Sequence, residues 1–301
     1  MFYLLLSILL NTYIGIAFVY FKKYKVDIFQ AIVFNYSACV ITGSLVISQF
    51  PINSVTIHGA WFPWAIAMGA LFISLFNIIA ISSVKVGVTI TQTSNKLSLA
   101  IPVLFAWLYY HEQISFLKLI GILFAILSVL FITSKKNVPT SGNNLPTKNA
   151  TFSWEILLPI TLFIGSGILD TMTKYVQCTF LVTDKISNDY LISGFFVAAF
   201  IGSLLLAYFY LTKKKTFHIR HLIAGILLGI PNYFSIYYLI KALKSPGLSS
   251  SATIPINNIA VLFVVSLFGI FIFREKLSTR NYWGLVLSLI AITLIFFGDK
   301  L

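Results

Sequence analysis

The stretch FPWAIAMGALFISLFNIIAI, Phe62–Ile81, runs twenty residues without a charged side chain. As a helix rising 1.5 Å per residue it would extend about 30 Å, the thickness of a bilayer's hydrocarbon core. The rest of the chain repeats this texture. Breaking it at charges, prolines and glycines leaves ten apolar stretches, at 1-20, 28-48, 62-81, 88-110, 117-133, 154-174, 189-211, 220-240, 248-272 and 281-298. Of the 301 residues 58% are hydrophobic and 10% are charged, against about 25% charged in a soluble domain. No soluble core hides that much apolar surface, so the sequence predicts an all-α integral membrane protein with ten transmembrane helices.

Helices rather than barrel strands follow from the pattern. Backbone groups in lipid must be bonded within the segment or around a closed sheet, and these continuous runs lack the alternation of barrel strands. Trp61, Trp64, Trp107, Trp154 and Trp283 all fall near proposed span ends, where aromatic belts form. The net charge of +13 comes from clusters between the apolar runs, such as Lys22-Lys23-Tyr24-Lys25 and Lys213-Lys214-Lys215. Placed there, they signal topology and meet the headgroups of the lipid bilayer, with no nucleic acid implied. Cys39 and Cys178 have no metal or redox spacing, so no metal and no cofactor is expected. Met1–Tyr20 lacks a basic n-region and reads as a first span, not a cleaved signal.

Shifting the chain by 163 residues aligns Asn95 with Asn258, Phe105 with Phe268, Glu112 with Glu275, Ser115 with Ser278 and Gly121 with Gly284. A weaker match pairs Ile41-Thr-Gly-Ser-Leu45 with Phe200-Ile-Gly-Ser-Leu204. The chain therefore divides into a first repeat, 1-134, a polar linker, 135-153, and a second repeat, 154-301. The linker carries the sequon Asn149-Ala150-Thr151. Five spans per repeat is an odd number, so the second copy enters the membrane with the opposite orientation. Such inverted repeats are typical of secondary transporters, whose site lies near the bilayer midplane between the copies.

The elements Asn95-Lys-Leu-Ser-Leu-Ala-Ile-Pro102 through His111-Glu-Gln-Ile-Ser115 and Gly121, matched by Pro255-Ile-Asn-Asn258 through Arg274-Glu-Lys-Leu-Ser278 and Gly284, resemble the duplicated EamA-type module of the drug/metabolite transporter superfamily. The resemblance covers nearly the whole chain. It implies a ten-helix exporter, importer or exchanger of small metabolites, with the third, fourth, eighth and ninth helices around a central cavity and cytoplasmic termini.

Only Lys96 and Asp170 lie more than three residues inside a proposed span. Ionisable groups at that depth are costly and mark functional sites by default. Thr89, Gln92, Thr93 and Lys96 share a helical face and, with neighbouring Asn95, form one wall of a candidate polar cavity. Lys96 would bind a substrate carboxylate or phosphate, or exchange a proton; the competing reading is that it snorkels or holds an internal carbonyl. Asp170 is a second proton-coupling candidate, or the i,i+4 partner of Lys174. Asn77, Asn232, Tyr233, Tyr237, Asn257 and Asn258, several beside Pro231 and Pro255, are candidates either for orienting substrate or for bonding helix to helix. Glu112 and Glu275 sit at span ends, which suggests a structural role.

No catalytic residue is expected: there is no phosphate-binding loop and no HExxH. The expectation is a secondary transporter of a small polar metabolite, such as an amino acid or another anionic or zwitterionic solute, acting as monomer or homodimer in the plasma membrane. A membrane-embedded enzyme or a non-transporting scaffold is the alternative. Sidedness is read two ways. Odd-numbered connections hold 14 of the 21 Lys and Arg, which puts them in the cytoplasm and the termini outside; the resemblance implies the reverse.

Overall fold

The structure, a computed structural model, describes residues 2–109, 115–133, 154–181, 183–243 and 250–298. Glu112 and the linker with its sequon lie outside them. The described residues hold no strand. The helices are α1 (Phe2–Lys23), α2 (Ile28–Val46), the short α3 (Ser54–Ile57), α4 (Phe62–Lys85), α5 (Val88–Leu97), α6 (Ala100–Tyr109), α7 (Phe116–Thr133), α8 (Leu157–Thr179), α9 (Asp184–Leu211), α10 (Ile219–Leu243), α11 (Ser250–Leu267) and α12 (Thr279–Phe297). Six of them, α1, α2, α4, α9, α10 and α12, are long and apolar enough to cross a membrane, and α7 and α11 contribute shorter apolar helices. This is an all-α fold of multi-pass membrane type.

The stretch 88-110, read as one span, is two ten-residue helices broken at Ser98 and Leu99. Two local causes converge there. Pro102 has no N–H for the Ser98 carbonyl and its ring crowds that carbonyl. The Ser98 hydroxyl also donates to the Asn95 carbonyl at 2.6 Å, competing with the helical ladder. The turn closes instead through Ile101 N–H donating to Ser98 O at 2.9 Å. Pro231, by contrast, lies inside α10 without ending it. The carbonyl four residues earlier, Leu227, accepts from the Tyr13 hydroxyl at 3.2 Å, so α1 supplies the donor that proline lacks.

Close backbone approach through small residues joins the helices. A Cβ on Gly229 would lie 2.4 Å from the Asn35 carbonyl oxygen, and one on Gly225 would lie 2.8 Å from that of Ala31. These two glycines, one turn apart, seat α10 directly on α2, the small-residue packing that membrane helices use in place of a hydrophobic driving force. Elsewhere α7 packs along α12, α4 along α9 and α8, α1 along α10 and α11, and α5 against α8 and α11. The serines and glycines that recur at the 163-residue shift have distinct jobs. Ser115 and Ser278 accept from the backbone N–H three residues on, capping α7 and α12. Gly121 packs against the Ala291 carbonyl, and the Gly284 carbonyl accepts from Ser128 at 2.6 Å.

The connections sort onto two faces. On one, Lys215 pairs with Asp27, Gln30 donates to Thr216 O and accepts from Tyr210, and Tyr20 meets Phe273 edge-on at 5.6 Å. On the other, Trp61 meets Tyr190 at 6.0 Å and Trp64 meets Tyr175 at 5.2 Å. Trp107 and Trp283 are exposed, in keeping with an aromatic belt, but Trp61 is buried. Its ring joins α4 to α9 rather than facing lipid.

Candidate functional site

The polar residues of α5 are dealt out among several neighbours. Thr89 is buried beside Gly269, whose Cβ would lie 2.2 Å from its hydroxyl oxygen. Gln92 is buried with its amide against Gly15 of α1. Thr93 is fully buried and donates back to the Thr89 carbonyl at 2.8 Å. These three therefore do not form an open wall with Lys96: helix neighbours fill that face. The expectation of a polar wall came from period alone, which gives the face and not what packs on it.

What the structure does bring together lies where α5 breaks and α8 crosses it. Asn95 accepts from Ser166 Oγ at 2.7 Å. Ser98 Oγ lies 3.2 Å from Asp170 Oδ2, sharing with it the proton it gives to Asn95 O. Lys96 and Asp170 bear electrostatically on one another across this contact. They do not close into an ion pair of 4 Å or less, and Lys96 Nζ has no hydrogen-bond partner among the described residues. By residue, Lys96 is half-buried and Asp170 is exposed. The charge that Asp170 meets is on α5, not on Lys174 one turn along its own helix. Ser166 sits four residues before Asp170, hence on the same face of α8; that spacing was available in the sequence as a signal and was missed.

The remaining candidates sit elsewhere. Asn232 is buried and donates to Asn35 Oδ1 at 3.3 Å, binding α10 to α2. Asn257 is buried and accepts from Ser7 Oγ at 3.3 Å, and the same hydroxyl lies 2.9 Å from Ser235 O. Asn77 spends its amide on Ile73 O of its own helix at 2.7 Å. Tyr233 is buried against Gly43 and stacks on Tyr237, whose ring lies 4.6 Å from Lys241 Nζ. Asn258 is half-buried. Asn232 and Asn257 are thus bonded between helices.

Two acidic residues take positions that the sequence left open. Asp189 begins a proposed span, but Thr183 caps α9 six residues before it. This leaves Asp189 8% exposed, with Oδ1 lacking a partner among the described residues. Glu275 caps a helix far from it in sequence. Its carboxylate accepts from the backbone N–H of Val88 at 2.5 Å and of Thr89 at 3.2 Å, at the start of α5.

No family model matches the chain. It is similar to an uncharacterized protein of Haemophilus influenzae, 28% identical over 302 residues that cover 99% of this chain and 98% of that protein.

Proposed function

We propose that the chain is a secondary transporter that moves a small zwitterionic metabolite, such as an amino acid, by alternating access between two inverted five-helix halves. The observation that carries this reading is the facing of Lys96 and Asp170. One lies in each half of the sequence, Lys96 on the ten-residue α5 and Asp170 on the 23-residue α8, and Ser98, two residues from Lys96, lies 3.2 Å from Asp170 Oδ2, which brings the two charges to neighbouring turns without a closed ion pair. Paired opposite charges held apart match a solute with both charges. Its carboxylate would meet the Lys96 ammonium and its amino group the Asp170 carboxylate, with Asn95, Ser98 and Ser166 orienting the pair. Intramembrane charges at this cost are kept for such work.

The packing supports the duplicated architecture. Exchanging α1 with α8, α2 with α9, α4 with α10, α5 with α11 and α7 with α12 turns the α4–α9 contact into α10–α2 and the α1–α11 contact into α8–α5. It also leaves α7–α12 and α5–α11 as they are. A pseudo-two-fold relation of this kind is what an inverted repeat produces, and it accords with an EamA-like member of the drug/metabolite transporter superfamily. Connections that ten crossings would bring to one side do meet: the α1–α2 turn touches the α9–α10 turn, and the start of α5 touches the α11–α12 turn. That side carries Lys23, Lys25, Lys85, Lys213, Lys214, Lys215, Arg220, Arg274, Lys276 and Arg280, which supports placing it in the cytoplasm of a cell whose plasma membrane holds the protein.

The test is a ligand-stabilisation screen of the purified protein against amino acids, nucleotides, sugars and organic cations, followed by counterflow of any hit in liposomes. Binding to the folded state raises the melting temperature with occupancy. Hits confined to zwitterions and lost in Lys96→Ala support the reading; a hit on an organic cation that survives Lys96→Ala refutes the assigned chemistry.

A further inference from the structure

The first turn of a helix has unsatisfied N–H groups and a partial positive charge. In α5 they are satisfied from the other half of the chain. Gly87, the N-cap, has no side chain to offer, and the Glu275 carboxylate takes the Val88 and Thr89 N–H groups instead. The fit is tight on every side. Gly87 has φ +118°, and a Cβ there would be 3.0 Å from Glu275 Oε1. A Cβ on Gly269 would lie 2.8 Å from Glu275 Oε2 as well as 2.2 Å from Thr89 Oγ1.

The segment that delivers Glu275 is itself distorted. Residues Phe268–Ile272 form a π-helical turn, Arg274 has φ +51°, and Glu275 N–H closes back on Gly269 O at 2.9 Å. Non-glycine residues hold such a conformation only where their surroundings enforce it, and such sites cluster at switches. Beneath the carboxylate, Val88, Val261 and Val265 form an apolar plug with Ile8, Val19 and Phe273 packed on it. Lys96 lies eight residues further along α5, about 12 Å.

We propose that Glu275 is a latch between the halves: its hold on the N-terminus of α5 shuts the solute path on the face of the α1–α2 and α11–α12 turns, and its release opens that face. It is a positioning residue, acting through α5. The proposal rests on the alternating-access reading for its purpose, though not for its test. In the full-length protein with Cys39→Ala and Cys178→Ser, Thr93→Cys places a thiol at a fully buried position more than a turn below the latch. Adding Glu275→Ala should speed labelling of that thiol by a polar maleimide about tenfold, the usual worth of a lost cap. Glu275→Gln, which keeps one acceptor oxygen, should restore most of the protection.

Gly269→Ala provides a second route, wedging Thr89 from Glu275 with the carboxylate retained, and should accelerate labelling likewise. A lowered melting temperature with labelling unchanged in either folded variant would make Glu275 a cap and nothing more, and the latch is then overturned. Labelling needs no solute, so accelerated labelling in a protein that shows no counterflow would leave the latch standing and refute transport.

Discussion

Two helix interfaces use the same polar vocabulary to different ends. Where α10 lies on α2, Gly225 and Gly229 bring backbone onto backbone, Asn232 is bonded to Asn35, and Cys39 donates its thiol to Gly229 O at 3.3 Å. Asn232, Asn35 and Cys39 are all buried. Where α5 lies against α8, the helix is broken, two opposite charges face each other without joining, and Asp170 is left exposed. The first interface bonds Asn232 and Cys39 across it, with Asn35 Nδ2 left without a partner among the described residues; the second bonds its serines and asparagine but leaves its two charges unjoined. An asparagine in an apolar run is therefore no guide to function until its partner is known, whereas a charge there without a closed partner is the stronger candidate.

Breaking the open interface should cost the most. Lys96→Ala should lower counterflow by about a hundredfold, the scale of losing a hydrogen bond from a charged group to the bound solute, with the protein still inserted and folded; unchanged kinetics would end its assigned role. Asp170→Asn keeps the Ser98 contact and removes only charge, so a smaller loss, on the order of tenfold or more, is expected in the same assay. Its readout should be selective, with zwitterions losing more than simple anions; equal losses would detach Asp170 from the substrate's amino group.

Breaking the closed interface should instead be read in stability. Gly229→Ala forces a methyl group toward the Asn35 carbonyl and should destabilise by about 1–3 kcal/mol, seen as a lower melting temperature in detergent. Transport per folded molecule should hold. Asn232→Ala is expected to have the smallest effect, about 1 kcal/mol or less for an interhelical hydrogen bond in a membrane. If it altered substrate selectivity instead, the contrast between the two interfaces would fail.

Particular residues show how much was legible beforehand. Lys96 and Asp170 stood out because charge within an apolar run is rare for a strong energetic reason. Their facing was not legible, since α5 and α8 are far apart in sequence and nothing local encodes which turn meets which. The break before Pro102 was half-written: the proline was visible, but the Ser98 hydroxyl that cooperates with it depends on a rotamer. Thr89, Gln92 and Thr93 carried a correct period, but a polar face toward a cavity and one packed on Gly269 or Gly15 look identical in a helical projection. The recurrence of Glu275 was visible too, yet its target lies in the opposite half.

What the sequence alone determined is the class of fold. Twenty apolar residues in lipid must satisfy their own backbone, and a helix does so with bonds four residues apart, so length and composition suffice. Tertiary structure alone decided which charges meet, which asparagines are merely bonded between helices, and what holds the N-terminus of α5. In a membrane there is little hydrophobic drive to tell one apolar face from another. Partners are chosen by the shape of small residues and by single polar contacts between distant segments, and neither leaves a periodic mark on the chain.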